Sequence, residues 1–117
     1  MTEVYFAHSK LIYGTKEEAK ALLFLRKIFH NVCCPHNDMG ELGSITPYLK
    51  RVEKCGLVVA LPYNKFIGKG VYEEIKHALS LKKPVLLLDS EKLLTINGVE
   101  VVDEYDWKFK YARIKLK

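Results

Sequence analysis

Two short, nearly continuous apolar runs, Leu57 to Leu61 (LVVAL) and Pro84 to Leu88 (PVLLL), dominate the hydropathy pattern of the chain. Runs of this length rich in Val and Leu predict strands covered on both faces. The segment between them is long enough for a helix, so the two strands are expected to be parallel neighbours joined by a right-handed crossover. With a start near Gly70 and about 100° per residue, Val71, Ile75, Ala78 and Leu79 form the face that packs on the sheet. Glu74 falls inside this apolar arc, in what would be the first turn, and Glu73 points to the solvent side.

The rest of the pattern extends this βαβ unit. Glu3 to His8 (EVYFAH) has strand character and is followed by a polar link, SKLIYGT. Thr15 with Glu18 three residues later reads as a capping box. Ala21, Leu22, Leu25, Ile28 and Phe29 then give a helix that ends near His30. Asn31 to Cys34 predicts a short strand stopped by Pro35, and PHNDMGELGS an irregular polar loop. Thr46 and Pro47 suit an N-cap and first helical position, with Tyr48, Leu49, Val52 and Cys55 as the apolar face and Gly56 leading into the central strand. After Leu88, Asn97 and Gly98 between two apolar, β-branched stretches signal a hairpin turn. The tail, WKFKYARIKLK, alternates apolar and basic residues with a slip in phase between Tyr111 and Ala112, the signature of a bulge or bend. The expected fold is α/β: a small, open, mostly parallel sheet with helices on both faces, of flavodoxin or Rossmann-like type, plus a C-terminal β-hairpin and a tail strand. It forms one domain over residues 1–117, with its core in 3–89 and the hairpin and tail in 92–117.

Composition changes this picture little. The 117 residues are 49% hydrophobic and 28% charged, which excludes a disordered chain. No apolar run approaches the roughly 18 residues that span a bilayer, and the start, MTEVYFAHSK, has no basic region followed by a long apolar one. A cytoplasmic protein without membrane contact is therefore expected. Three cysteines, two of them adjacent, make no disulfide framework. Cys33 and Cys34 would point to opposite faces of a strand, and His30, Cys34 and His36 show no established zinc spacing, so neither a metal nor a cofactor is expected. The net charge of +5 suits an anionic ligand such as a nucleotide, and equally a lysine-rich surface.

The chemistry concentrates on Glu74. A carboxylate on the inward side of a helix, just past the end of a parallel strand, stands in the crevice where open α/β sheets bind ligands, and free N–H groups and the helix dipole would favour its charged form. A cap on its own helix, or a pair with a nearby lysine, explains the same residue. Asn37 and Asp38 suit a sugar hydroxyl, or an Asx-turn that organises their loop. Trp107, Phe109 and Tyr111 interleaved with Lys108 and Lys110 suit a stacking platform for single strands, or an edge strand whose lysines discourage pairing. The edge strand is preferred, so no nucleic-acid partner is expected.

The VYFAH start, the LVVALP strand and the segment GKGVYEEIKHALSLKKPV together resemble the nucleoside 2-deoxyribosyltransferase-like family, which includes deoxynucleoside 5'-monophosphate N-glycosidases. The resemblance covers roughly residues 3–89. It implies a nucleoside or nucleotide substrate, a homo-oligomer and no cofactor, with Glu74 at the position of the family's nucleophilic glutamate. In that chemistry the carboxylate attacks the anomeric carbon, expels the base, and a second base or water completes the reaction. The implied surroundings are His8, Ser9 and Tyr13 in the first loop, Asn37 and Asp38 in the second, Pro62 and Tyr63 past the central strand, and Gly68 and Gly70 near a phosphate or sugar. The chain departs from the family pattern at Tyr48, where a second carboxylate is usual, at Gly56, often an aspartate, and at Tyr72, usually a glycine. Asp38 is the candidate to supply the missing carboxylate. Two functions follow from the resemblance: an N-glycosidic bond hydrolase or transferase, and a non-catalytic nucleotide sensor or sequestering protein on the same fold.

Overall fold

The computed structural model describes residues 2–40, 43–63, 66–101 and 112–116. Among them, strands β1 (Val4–His8), β2 (Val32–Cys33), β3 (Leu57–Leu61) and β5 (Val85–Asp89) lie parallel in the order β2-β1-β3-β5, and β6 (Lys92–Val101) adds antiparallel to β5. The predicted neighbours, LVVAL and PVLLL, do pair in parallel, with Val58 opposite Val85. The connection carries one further piece, the two-residue strand β4 (Phe66–Ile67), ahead of helix α4 (Lys69–Ser80). Helix α4 closes where Lys82 takes φ 59° and the Lys83 N–H reaches the Ala78 carbonyl at 3.0 Å, and Pro84 then prevents its continuation.

Strand alternation sorts the core into two layers. Tyr5, Ala7, Cys33, Val58, Ala60 and Val85 face helix α3 (Thr46–Lys54) and α4, where Val52, Val71, Ile75 and Ala78 meet them. Val4, Phe6, Val32, Cys34, Val59 and Leu88 face helix α1 (Lys16–Ile28), through Ala21, Leu22 and Leu25. The two adjacent cysteines do lie on opposite faces. Helices thus cover both sides of the sheet, and the chain leaves β1 toward β2 on one flank and returns to β3 on the other. The carboxyl ends of β1 and β3 frame the switch point where such sheets take ligands. At the opposite end, Arg51 clamps Glu3 in a two-pronged ion pair at 2.8 and 2.7 Å, tying α3 to the start of β1.

Four expectations are corrected. Asn97 and Gly98 do not make the hairpin turn: β6 continues through them, and the hairpin closes earlier, at Ser90 and Glu91 between β5 and β6, with Ser90 at φ 56°. Asn97 is instead the extra residue of a bulge between Ile96 and Gly98. A bulge bends a strand without ending it, which lets β6 leave β5 and pair with β7 (Ala112–Leu116). Strand β7 is not an edge, because β6 lies on one side of it and β4 on the other. The irregular loop holds a one-turn helix, α2 (Pro35–Asp38), and α3 begins one residue early, with Ile45 as N-cap and Thr46 already helical. The aromatic and basic positions 107–111, with the predicted slip at Tyr111, lie outside the described residues. Among those residues no helix is long and apolar enough to cross a membrane.

Candidate functional site

Period-two alternation along β1 sends neighbouring side chains to different layers, and each layer receives a glutamate. In the α4 layer, Glu74 is 6% exposed, and the Tyr5 hydroxyl donates a hydrogen bond to its Oε2. The inward orientation read from periodicity is therefore present, but the expected charge state is not. Helix α4 starts at Lys69, so Glu74 lies in the second turn, beyond the free N–H groups, and no acidic residue occupies the first. Burial dominates and pushes the Glu74 carboxyl up to about 8, against a smaller lowering by the Tyr5 hydroxyl. Burial, and then the Glu74 charge, raise Tyr5 as well. Glu73, expected in solvent, is half-buried.

In the α1 layer, His8 ends β1 and is 4% exposed. Its Nδ1 lies 3.0 Å from the Phe6 carbonyl oxygen, and its Nε2 lies 2.7 Å from Glu18 Oε2. Glu18 also accepts from the Gly14 N–H at 3.0 Å, and His36 Nδ1 stands 2.9 Å from its Oε1. Gly14 adopts φ 73°, a left-handed turn that aims its N–H at the carboxylate. Burial alone would raise Glu18, but the hydrogen bonds from His8, His36 and Gly14 outweigh it and hold the carboxyl below its ordinary range. Only half of the predicted capping box forms: the Thr15 hydroxyl accepts from the Glu18 N–H at 3.3 Å, while the Glu18 side chain turns to the histidines. Cys34 is fully buried beside this group, its thiol raised by burial and partly lowered by the N–H groups of Asn37 and His36.

Tyr13 links the two clusters. Its ring stacks on His36 at 4.5 Å and lies 5.0 Å from His8, while burial and the charge of Glu74 raise its hydroxyl.

The remaining predicted residues go to separate places. Asp38 does not join Glu74: it is exposed, and its carboxylate accepts from the Cys34 N–H at 2.8 Å, organising the loop. Ser9 caps a short 3-10 turn, accepting from the Leu11 N–H at 3.1 Å. Pro62 and Tyr63 line an open cavity at the switch point with Leu11, Ile12, Leu61 and Glu17. Asn37 borders a second cavity with Gly14, Glu18, Arg26 and His36. Glu74 lines neither of these two cavities. Gly68 caps α4 in extended conformation, and among the described residues a side chain at Gly68 or Gly70 would meet nothing closer than 3.9 Å, so packing does not require a glycine at either position. Tyr48 is buried, its hydroxyl donating to the Gly40 carbonyl at 2.9 Å.

Sequence reasoning missed Tyr5, gave Glu18 only a capping role, and weighed Cys34 and His36 only as metal ligands without an established spacing. A signal existed for Glu18: it lies three residues before Ala21, four before Leu22 and seven before Leu25, so it shares their apolar stripe as Glu74 shares that of α4. Compared with family models, with curated proteins and with solved structures, the chain matches none.

Proposed function

We propose that the protein takes a nucleoside or nucleotide at the carboxyl ends of β1 and β3 and cleaves or transfers its N-glycosidic bond, with Glu74 as nucleophile. One observation carries the reading: a glutamate turned into the α4 layer, its carboxylate held by the Tyr5 hydroxyl, at the residue the family resemblance assigns to the nucleophile. In the reaction a Glu74 oxygen bonds to the anomeric carbon as the bond to the base nitrogen breaks. The base leaves with the electron pair and takes up a proton, and water or a second base then cleaves the glycosyl ester. The attacking form is the ionised one. With the carboxyl at about 8 in the ligand-free protein, base release rises as pH passes through that value.

The test is incubation of the purified protein with a panel of nucleosides and nucleotides, read by mass spectrometry. Free base appears, Glu74→Gln abolishes it, and Glu73→Gln does not. Base release that survives Glu74→Gln removes Glu74 from the mechanism.

A second reading, a binding protein without turnover, draws on two observations. Asp38 is committed to the Cys34 N–H and supplies no second carboxylate, and burial favours neutral Glu74. In that case a ligand raises the melting temperature and is recovered intact.

A further inference from the structure

The buried group in the α1 layer brings three residues with possible cation-ligating atoms together. One ligating atom each from His8, Glu18 and Cys34 lie within 4.8 Å of one another, and all three residues are buried. They come from three different elements, the end of β1, the first turn of α1 and the residue after β2. Their sequence separations therefore match no established zinc spacing, and the cluster is visible only once the sheet has formed.

We propose that His8 Nε2, the Glu18 carboxylate and Cys34 Sγ bind a zinc-class divalent cation, with water from the adjoining cavity in the fourth position. The proposal stands independently of any role for Glu74.

Three features carry it beyond proximity. First, His8 Nδ1 lies 3.0 Å from the Phe6 carbonyl, the outer hydrogen bond that fixes the tautomer of a metal-bound histidine and frees Nε2 to ligate. Second, the Glu18 carboxylate turns away from its own helix end to face His8, placing Oε2 2.7 Å from Nε2, and both residues are buried. Third, Glu18 has outer support and an approach from solvent. Its Oε1 is held by His36 Nδ1 at 2.9 Å and by the Gly14 N–H at 3.0 Å, and Gly14, Glu18 and His36 all border an open cavity. For ligation, the His8 and Glu18 atoms must spread from 2.7 Å to the roughly 3.3 Å separation of ligands around a tetrahedral ion with bonds near 2 Å. A nitrogen, sulfur and oxygen set selects zinc and its neighbours over magnesium or calcium, which prefer oxygen alone.

The experiment uses the full chain, stripped with a chelator and titrated with cobalt(II) as a spectroscopic substitute and with zinc(II) against a chromophoric competitor. Expected are one equivalent bound and a thiolate-to-cobalt charge-transfer band that Cys34→Ser removes and Cys33→Ser leaves, because Cys33 faces the other layer. His36→Gln weakens zinc binding about tenfold, as loss of an outer partner does, and excess magnesium does not displace the cation. A measurement on the unaltered protein covers the case in which the variants fail to fold: the thiolate-to-cobalt band saturates at one equivalent, and zinc(II) abolishes it. No binding, no thiolate band with cobalt(II), or a band that survives Cys34→Ser in folded protein would overturn the assignment.

Discussion

Glu18 and Glu74 are almost equally hidden, at 5% and 6% exposure, yet they are driven in opposite directions. Burial is the leading influence on both. What separates them is how deeply the surrounding protein encloses the carboxyl group, together with the supply of donors. Glu18 has two histidines and a backbone N–H within hydrogen-bonding distance and borders open space, whereas Glu74 has the Tyr5 hydroxyl and lines neither of the two cavities described above. A buried carboxylate stays charged where the fold provides enough N–H groups to replace its water, and otherwise holds its proton. One layer of this sheet thus stores a charged network and the other a neutral pair, with Tyr13 beside both.

The comparison is tested most strongly by removing each carboxylate. Glu18→Ala takes away the partner of the buried His8 Nε2 and should cost ~3 kcal/mol at neutral pH in denaturant melts. Glu74→Gln keeps an oxygen for the Tyr5 hydroxyl and removes an ionisation that burial opposes, so it should cost nothing or stabilise. Equal losses would erase the distinction.

The pH dependence is the next largest effect, and its sign differs between the two. The raised Glu74 contributes stability that is complete below the ordinary carboxylate range and is lost as pH rises toward about 8. The lowered Glu18 contributes stability that is present above that range and is lost as pH falls through its depressed value. Melting temperatures of the unaltered protein should therefore decline from mildly acidic pH toward about 8, and Glu74→Gln should flatten that limb alone. The smallest effect is that of Tyr5→Phe, which withdraws the hydroxyl donor from Glu74. It should cost about 1 kcal/mol and move the alkaline limb to higher pH, leaving the acid limb in place.

Much of the fold could be read in the sequence because it rests on local patterns. The apolar runs gave the parallel pair, and helical periodicity turned Glu74 inward before any tertiary contact was known. The apolar stripe of α1 also contains Glu18, but its place three residues after Thr15 reads as a cap, and local sequence offers no way to choose between a backbone N–H and a histidine brought from another strand. The Asn97 and Gly98 pair misled for a related reason. It favours a turn in isolation, but pairing with β5 before it and β7 after it makes a continuous, bulged strand the better use of its backbone groups.

The sequence by itself determined the parallel pair and its crossover helix, the apolar faces of the three long helices, and that Glu74 enters the α4 layer. The tertiary structure alone decided the company Glu74 and Glu18 keep: Tyr5 for one, His8 and His36 for the other, with Cys34 alongside. Spacing along the chain sets the direction of a side chain, but charge state and ligand geometry depend on atoms within a few ångströms, and here those come from elements far apart in sequence.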